Sequence, residues 1–130
     1  QNSDDIRIFN NILVAEEGNK INSNMSNGSD IVYDYNLHFG GTSVALIGEH
    51  TLTTDPLLYG FGEGEIRLQP ESPAIDAGVA NINNLFAPTV DIFGTERPVG
   101  GAHDIGAIEY NTATGLNNIF FDKINLIRFD

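Results

Sequence analysis

A short polar corner followed by an aliphatic residue recurs along the first half of the chain, as Asn11-Ile12-Leu13, Asn36-Leu37 and Asp55-Pro56-Leu57. Ile12 and Leu37 lie 25 places apart, and Leu37 and Leu57 lie 20 apart. Periods of roughly 20 to 50 residues mark solenoid architectures. In a solenoid no repeat buries its inner face alone, so each stacks its strands on its neighbours and equivalent side chains form ladders. Asn suits the corner because it tolerates left-handed backbone angles and its amide can bond the next Asn in the stack. The repeat therefore predicts a parallel stack that superposes Ile12 or Leu13, Leu37 and Leu57. An ordinary β-sandwich with irregular turns is the competing architecture.

Few segments read as helix. Residues 5–15 (DIRIFNNILVA), 30–39 (DIVYDYNLHF) and 53–59 (TTDPLLY) have strand composition, and 65–68, 74–77 and 107–110 are shorter strands. Residues 95–103 (TERPVGGAH) read as loop because Pro98, Gly100 and Gly101 exclude regular structure. Residues 81–88 (NINNLFAP) read as a loop or helical turn. Residues 111–115 look like a linker, after which 116–130 alternate partly as a strand.

Length and charge narrow the function classes. The chain has 130 residues, 41% of them hydrophobic, which suits one globular domain. Six basic residues against eighteen acidic ones give a net charge of -12, a surface that repels nucleic-acid phosphates. It also repels anionic lipid and polyuronate chains unless a metal ion intervenes. No apolar run approaches the roughly 20 residues needed to span a bilayer, so no membrane span is expected. No basic segment followed by an apolar one opens the chain, so either a secretion signal has been removed or the chain belongs to something longer. Cysteine is absent, which excludes disulfide and thiol chemistry.

The segment Gly62 to Tyr110 resembles the C-terminal ends of pectin-lyase-like right-handed parallel β-helix proteins, common among secreted proteins of Bacteroidetes and related bacteria. The resemblance rests on Asp55-Pro56-Leu57, on IRLQPESPAIDAG at 66–78, on DIFGTERP at 91–98 and on DIGAIEY at 104–110, in that order. It implies an all-β fold: C-terminal coils of a right-handed parallel β-helix with a loop-rich cap over residues 1–110. A linker, and the start of a sorting tail or a terminal strand, would follow over 111–130. It further implies a secreted or cell-surface location and upstream β-helix coils as the partner. Such endings follow polysaccharide lyases, other glycan-active enzymes and adhesin-like domains, so the implied role is a structural cap, with polysaccharide as a further partner. The alternative is a segment that contributes to a glycan groove. Thr114-Gly115-Leu116-Asn117-Asn118-Ile119 resembles the start of a type IX sorting tail.

The motif residues also have physical roles of their own. Asp76, two residues before Gly78, can accept backbone N–H bonds in an Asx-type turn. Arg97 offers a planar five-donor fork suited to a carboxylate, Asp104 first and Asp91 second. Gly106 permits close backbone approach. Ile75 and Ile105 are expected to be buried beneath this cap.

Candidate chemistry is sparse, and no catalytic residue or cofactor is assigned. Glu63 and Glu65 have the spacing to share a strand face, as a glycosidase pair would. Their Gly-rich surroundings make them solvated loop carboxylates instead. Asp30 with Asp34, or Asp4 with Asp5, could offer oxygen ligands to calcium, but no EF-hand spacing is present. His38, His50 and His103 are too far apart in sequence to form a zinc motif, and His38 is expected to face solvent. Elimination chemistry needs a base and a cation beside the uronate, whereas Arg7, Lys20, Arg67, Arg97, Lys123 and Arg128 are scattered. Tyr33, Tyr35, Phe39 and Tyr59 could form a sugar platform but serve equally as ladder or core residues.

Overall fold

The computed structural model describes residues 5–22, 30–43, 46–60 and 64–112. These residues are all-β in character: nine short strands lie in four small sheets. The order is β1 (Ile6–Phe9), β2 (Ile12–Asn22), β3 (Ile31–Asp34), β4 (Leu37–Ser43), β5 (Leu52–Thr53), β6 (Leu58–Tyr59), β7 (Arg67–Leu68), β8 (Asn81–Ile82) and β9 (Leu85–Phe86). β1 pairs with β3, and β2 with β4 and then β5, all parallel. The β6–β7 and β8–β9 pairs are antiparallel. Extended coils of a parallel β-helix are therefore not what these sheets amount to. They are two or three strands wide, and in the C-terminal half they are hairpins.

The parallel half follows its sequence closely. Phe9 is in register with Asp34 and Ile12 with Leu37, so the corners Asn10-Asn11 and Tyr35-Asn36 lie in register. Two jobs expected of one Asn are split between neighbours. Asn10 and Tyr35 adopt left-handed backbone, at φ 58° and 52°. Asn11 and Asn36 make the ladder: Asn11 donates to Asn36 Oδ1 through its backbone N–H at 3.0 Å and its side-chain amide at 2.9 Å. Asn36 in turn donates to the Ile8 carbonyl at 3.0 Å. A buried amide this well satisfied fixes the register, because a slip would leave it unpaired.

The third aliphatic of the ladder is Leu52, not Leu57. Leu37 is in register with Leu52, and the Leu52 N–H donates to the Asn36 carbonyl at 2.8 Å. Asp55-Pro56 instead ends the stack. Pro56 has no N–H to donate. Asp55 accepts the Leu57 N–H at 2.8 Å, and Leu57 turns into left-handed backbone at φ 49°.

Leu37 is fully buried at the centre of the core, with Leu68, Ala74 and Ile105. Ile12, Leu52, Leu58, Ile75, Ala77 and Tyr110 close around them. Three of the four central residues thus come from beyond the parallel ladder, so its inner face is covered by the C-terminal half. Ile105 is buried as expected, and Ile75 is half-buried. His38, expected in solvent, is 2% exposed because the Tyr33 hydroxyl bonds its Nε2. Residues 81–88 contain a hairpin rather than a simple loop. Asn83 and Asn84 both take positive φ, 48° and 65°, as a tight two-residue hairpin turn requires. The expected terminal strand and sorting tail lie outside the described residues.

Candidate functional site

Asp104, Gly106 and Glu109 converge on one buried cation. The Arg97 side chain is 4% exposed, and its Nε donates to Glu109 Oε1 at 2.7 Å. Its Nη2 donates to the Asp104 carbonyl at 2.7 Å and the Gly106 carbonyl at 3.2 Å. Glu109 is fully buried and also accepts the Asp104 N–H at 2.9 Å and the Val99 N–H at 3.1 Å. Arg97 therefore pairs with neither carboxylate expected of it. Asp104 offers its backbone carbonyl, because its carboxylate is engaged elsewhere. Glu109 was missed although it interrupts an otherwise apolar strand-like run, Ala107 to Tyr110. A charge in such a run is a candidate partner for a buried cation.

The remaining acids tie loops together. Asp104 Oδ1 accepts the Asp76 N–H at 2.8 Å and Oδ2 the Tyr110 N–H at 2.5 Å. Burial raises the Asp104 carboxyl above its ordinary value, against the lowering effect of those two bonds and with a further upward push from Glu109 and Asp76. Asp91 is the opposite case. Burial raises it too, but N–H donation from Thr95, Glu109 and Phe93 outweighs burial and holds it below the ordinary value. Asp76, at φ 55°, accepts the Ala102 N–H at 3.0 Å, so it bridges to a distant loop rather than closing an Asx turn toward Gly78.

Two glycines set the spacing. Gly78 donates to the His103 carbonyl at 2.7 Å, and a Cβ there would lie 2.8 Å from that oxygen and 2.9 Å from Asn10 Oδ1. Gly106, at φ 114°, donates to the Asn10 carbonyl at 2.9 Å, and its Cβ would press on Ile12. Asn10 completes the junction. Its side chain donates to the Val79 carbonyl at 2.7 Å and accepts the Val79 N–H at 2.9 Å. The cap is thus bolted to the first corner of the ladder.

This arrangement holds backbone in place. Asp76, Asp91, Asp104 and Glu109 all accept backbone N–H bonds, and Arg97 is enclosed. Among the described residues no three His, Asp or Glu side chains gather as a metal would require. Asp34 binds the Tyr35 and His50 N–H groups and, at 2.7 Å, His50 Nδ1. Asp4 and Glu63 lie outside the described residues, while Glu65 pairs with Arg67. Arg67 also lies 4.3 Å above the Phe93 ring. The aromatics do not form one platform: Tyr33 is buried on His38, Tyr35 stacks on His50 at 4.3 Å, and Phe39 and Tyr59 are exposed. Among the described residues no helix is long and apolar enough to cross a membrane.

Two open apolar grooves flank the Asn10-Asn11 corner. One, of about 500 Å³, runs between Ile12, Val14, Ile66 and Ile108. The other, of about 630 Å³, runs between Arg7, Phe9, Phe86 and Ile92. No family model matches the chain, and neither does any curated protein or solved structure compared with it.

Proposed function

We propose that the chain is the closing segment of a right-handed parallel β-helix in a secreted or cell-surface, glycan-associated protein, and that its role is structural. The observation that carries this reading is the junction at Asn10, where a loop-built cap around a buried Arg97–Glu109 pair is fastened to the corner of a parallel, Asn-laddered stack. Exposed strand edges template aggregation, and a cap of this kind covers them. The resemblance of the SPAIDAG, RP and DIGAIEY segments to the ends of pectin-lyase-like proteins supports the same reading. The partner is a further run of β-helix coils in the same parent.

The test is twofold. The chain should release no unsaturated product from pectate, alginate or chondroitin, with or without calcium. A rise in absorbance abolished by Lys20→Ala or Arg67→Ala would replace the structural role with an enzymatic one. The architecture is tested separately. The sequence has no cysteine, so a Val14→Cys/Phe39→Cys pair, in register on neighbouring strands, should be joined intramolecularly by a short bifunctional thiol reagent. Failure of that cross-link would remove the parallel stack from the reading.

A further inference from the structure

The outer edge of the first layer carries acceptors whose equivalents, one layer in, are occupied. Between layers, the carbonyl of left-handed Tyr35 accepts the Asn10 N–H at 2.9 Å, and Asn36 Oδ1 accepts the Asn11 N–H and side-chain amide. Both acceptors thus point from the second layer toward the first. By the same backbone geometry, the Asn10 carbonyl points outward from the first layer. Asn11 Oδ1 accepts no hydrogen bond among the described residues. The Asn10 carbonyl is taken by the Gly106 N–H, so Gly106 occupies the seat that the N–H of an added corner would fill. Among the described residues β1 pairs only with β3, and β2, like β5, is an outer strand of its sheet.

The edge also carries a guanidinium with one buried donor left over. The Arg7 side chain is 10% exposed; its Nη2 meets the exposed Asp5 carboxylate at 3.2 Å and its Nη1 the Ile6 and Asp30 carbonyls at 3.3 and 3.4 Å, while its Nε is buried without a partner. A buried guanidinium N–H favours a carboxylate acceptor. Arg7 stands four places before Asn11, and strands stacked in parallel set equivalent side chains side by side.

We propose that this edge binds one more strand–corner–strand segment in parallel, with Asn at its corner and an acidic residue four places before that Asn, and that Gly106 gives up the Asn10 carbonyl when the segment binds. The two apolar grooves beside the corner would receive its aliphatic side chains. The segment continues the ladder already formed by β1 with β3 and β2 with β4. The proposal rests on the parallel-stack reading above, and adds to it the chemistry of the segment and the displacement of Gly106.

The probe is a synthetic peptide of residues 5–16 carrying Arg7→Glu, added to the wild-type chain. Two comparison peptides keep Arg7, or carry Arg7→Glu together with Asn11→Leu. The acidic peptide should bind, slow amide exchange along β1 and β2, and speed exchange of the Gly106 amide. Each comparison peptide should bind about tenfold more weakly, the scale of one charge-assisted bond. Equal affinity for all three peptides, or a Gly106 amide that stays protected on binding, overturns the proposal. The Val14→Cys/Phe39→Cys cross-link separates the two readings. If it forms and the acidic peptide fails to bind, the edge proposal falls alone; if it does not form, both fall.

Discussion

The ladder and the cap stabilise backbone by opposite means. In the ladder, β1 to β5, strands satisfy each other, and the side chains that set the register are neutral: Asn11, Asn36 and the aliphatic row Ile12, Leu37 and Leu52. In the cap, residues 64–112, strands are only two residues long, and backbone N–H groups are met by carboxylates instead. A ladder spreads its stability over repeated contacts with its neighbours. A cap organised by one guanidinium concentrates it. The contrast makes a specific claim: a single lesion should harm the cap more than an equivalent lesion harms the ladder.

The largest effect is expected at Arg97. Replacement by Ala leaves the fully buried Glu109 without its cation, a loss of about 3–5 kcal/mol. Glu109→Gln, which keeps the shape and one acceptor, should cost less. Thermal or urea melts of both variants measure this, and an Arg97→Ala protein that melts like wild type would dissolve the distinction between the two regions. Next comes Leu37→Ala. It opens a cavity in the shared core and should cost about 2–5 kcal/mol. Since Leu68, Ala74 and Ile105 from the C-terminal half line that cavity, both regions should unfold in one transition. Two separate transitions would show that the halves are independent.

Asn36→Leu sharpens the comparison from the ladder side. The side chain is fully buried, with Oδ1 accepting from Asn11 and the amide donating to the Ile8 carbonyl. Removing it strands the Asn11 N–H and the Ile8 carbonyl, at a cost of about 1–3 kcal/mol. A loss as large as that of Arg97→Ala would mean that neutral ladders are as fragile as buried ion pairs.

How much of this was legible depended on whether the interaction repeats. The pairing of Ile12 with Leu37 and of Asn11 with Asn36 was readable because a period of 25 residues appears in the sequence itself. Leu52 was missed because no Asn or Asp precedes it; Thr51 stands at that corner, while Asp55-Pro56-Leu57 imitates the pattern and serves as its terminator. In the cap, Asp76, Arg97, Asp104 and Gly106 were legible as polar or close-approach positions and are linked by hydrogen bonds. Their pairing was not. Each acid there can reach several N–H groups, and which one it takes depends on loop paths that leave no periodic trace. His38 failed for a related reason, since nothing in the order of residues announces that Tyr33 will cover it.

The smallest predicted effect concerns two ladder histidines that respond to pH in opposite senses. His50 is exposed, and the Asp34 carboxylate at Nδ1 raises its pKa above the ordinary 6.5, with desolvation opposing and Glu49 assisting. A raised value means that the folded chain holds the proton more tightly, so the contribution is fully present below about pH 6.5 and is lost as pH rises through the folded value. Burial lowers His38, so its contribution is present above about pH 6.5 and is lost as pH falls through its folded value. The melting temperature of His50→Gln should therefore fall below wild type in mildly acidic buffer and converge with it in mildly alkaline buffer. His38→Gln should do the reverse, narrowing its deficit as pH falls. Because His50 is open to solvent, 0.5 M salt should shrink its difference while leaving that of His38 in place. If the two variants follow the same pH trend, Asp34 is not holding a charged His50, and the stacked Tyr35–His50 pair is a neutral contact.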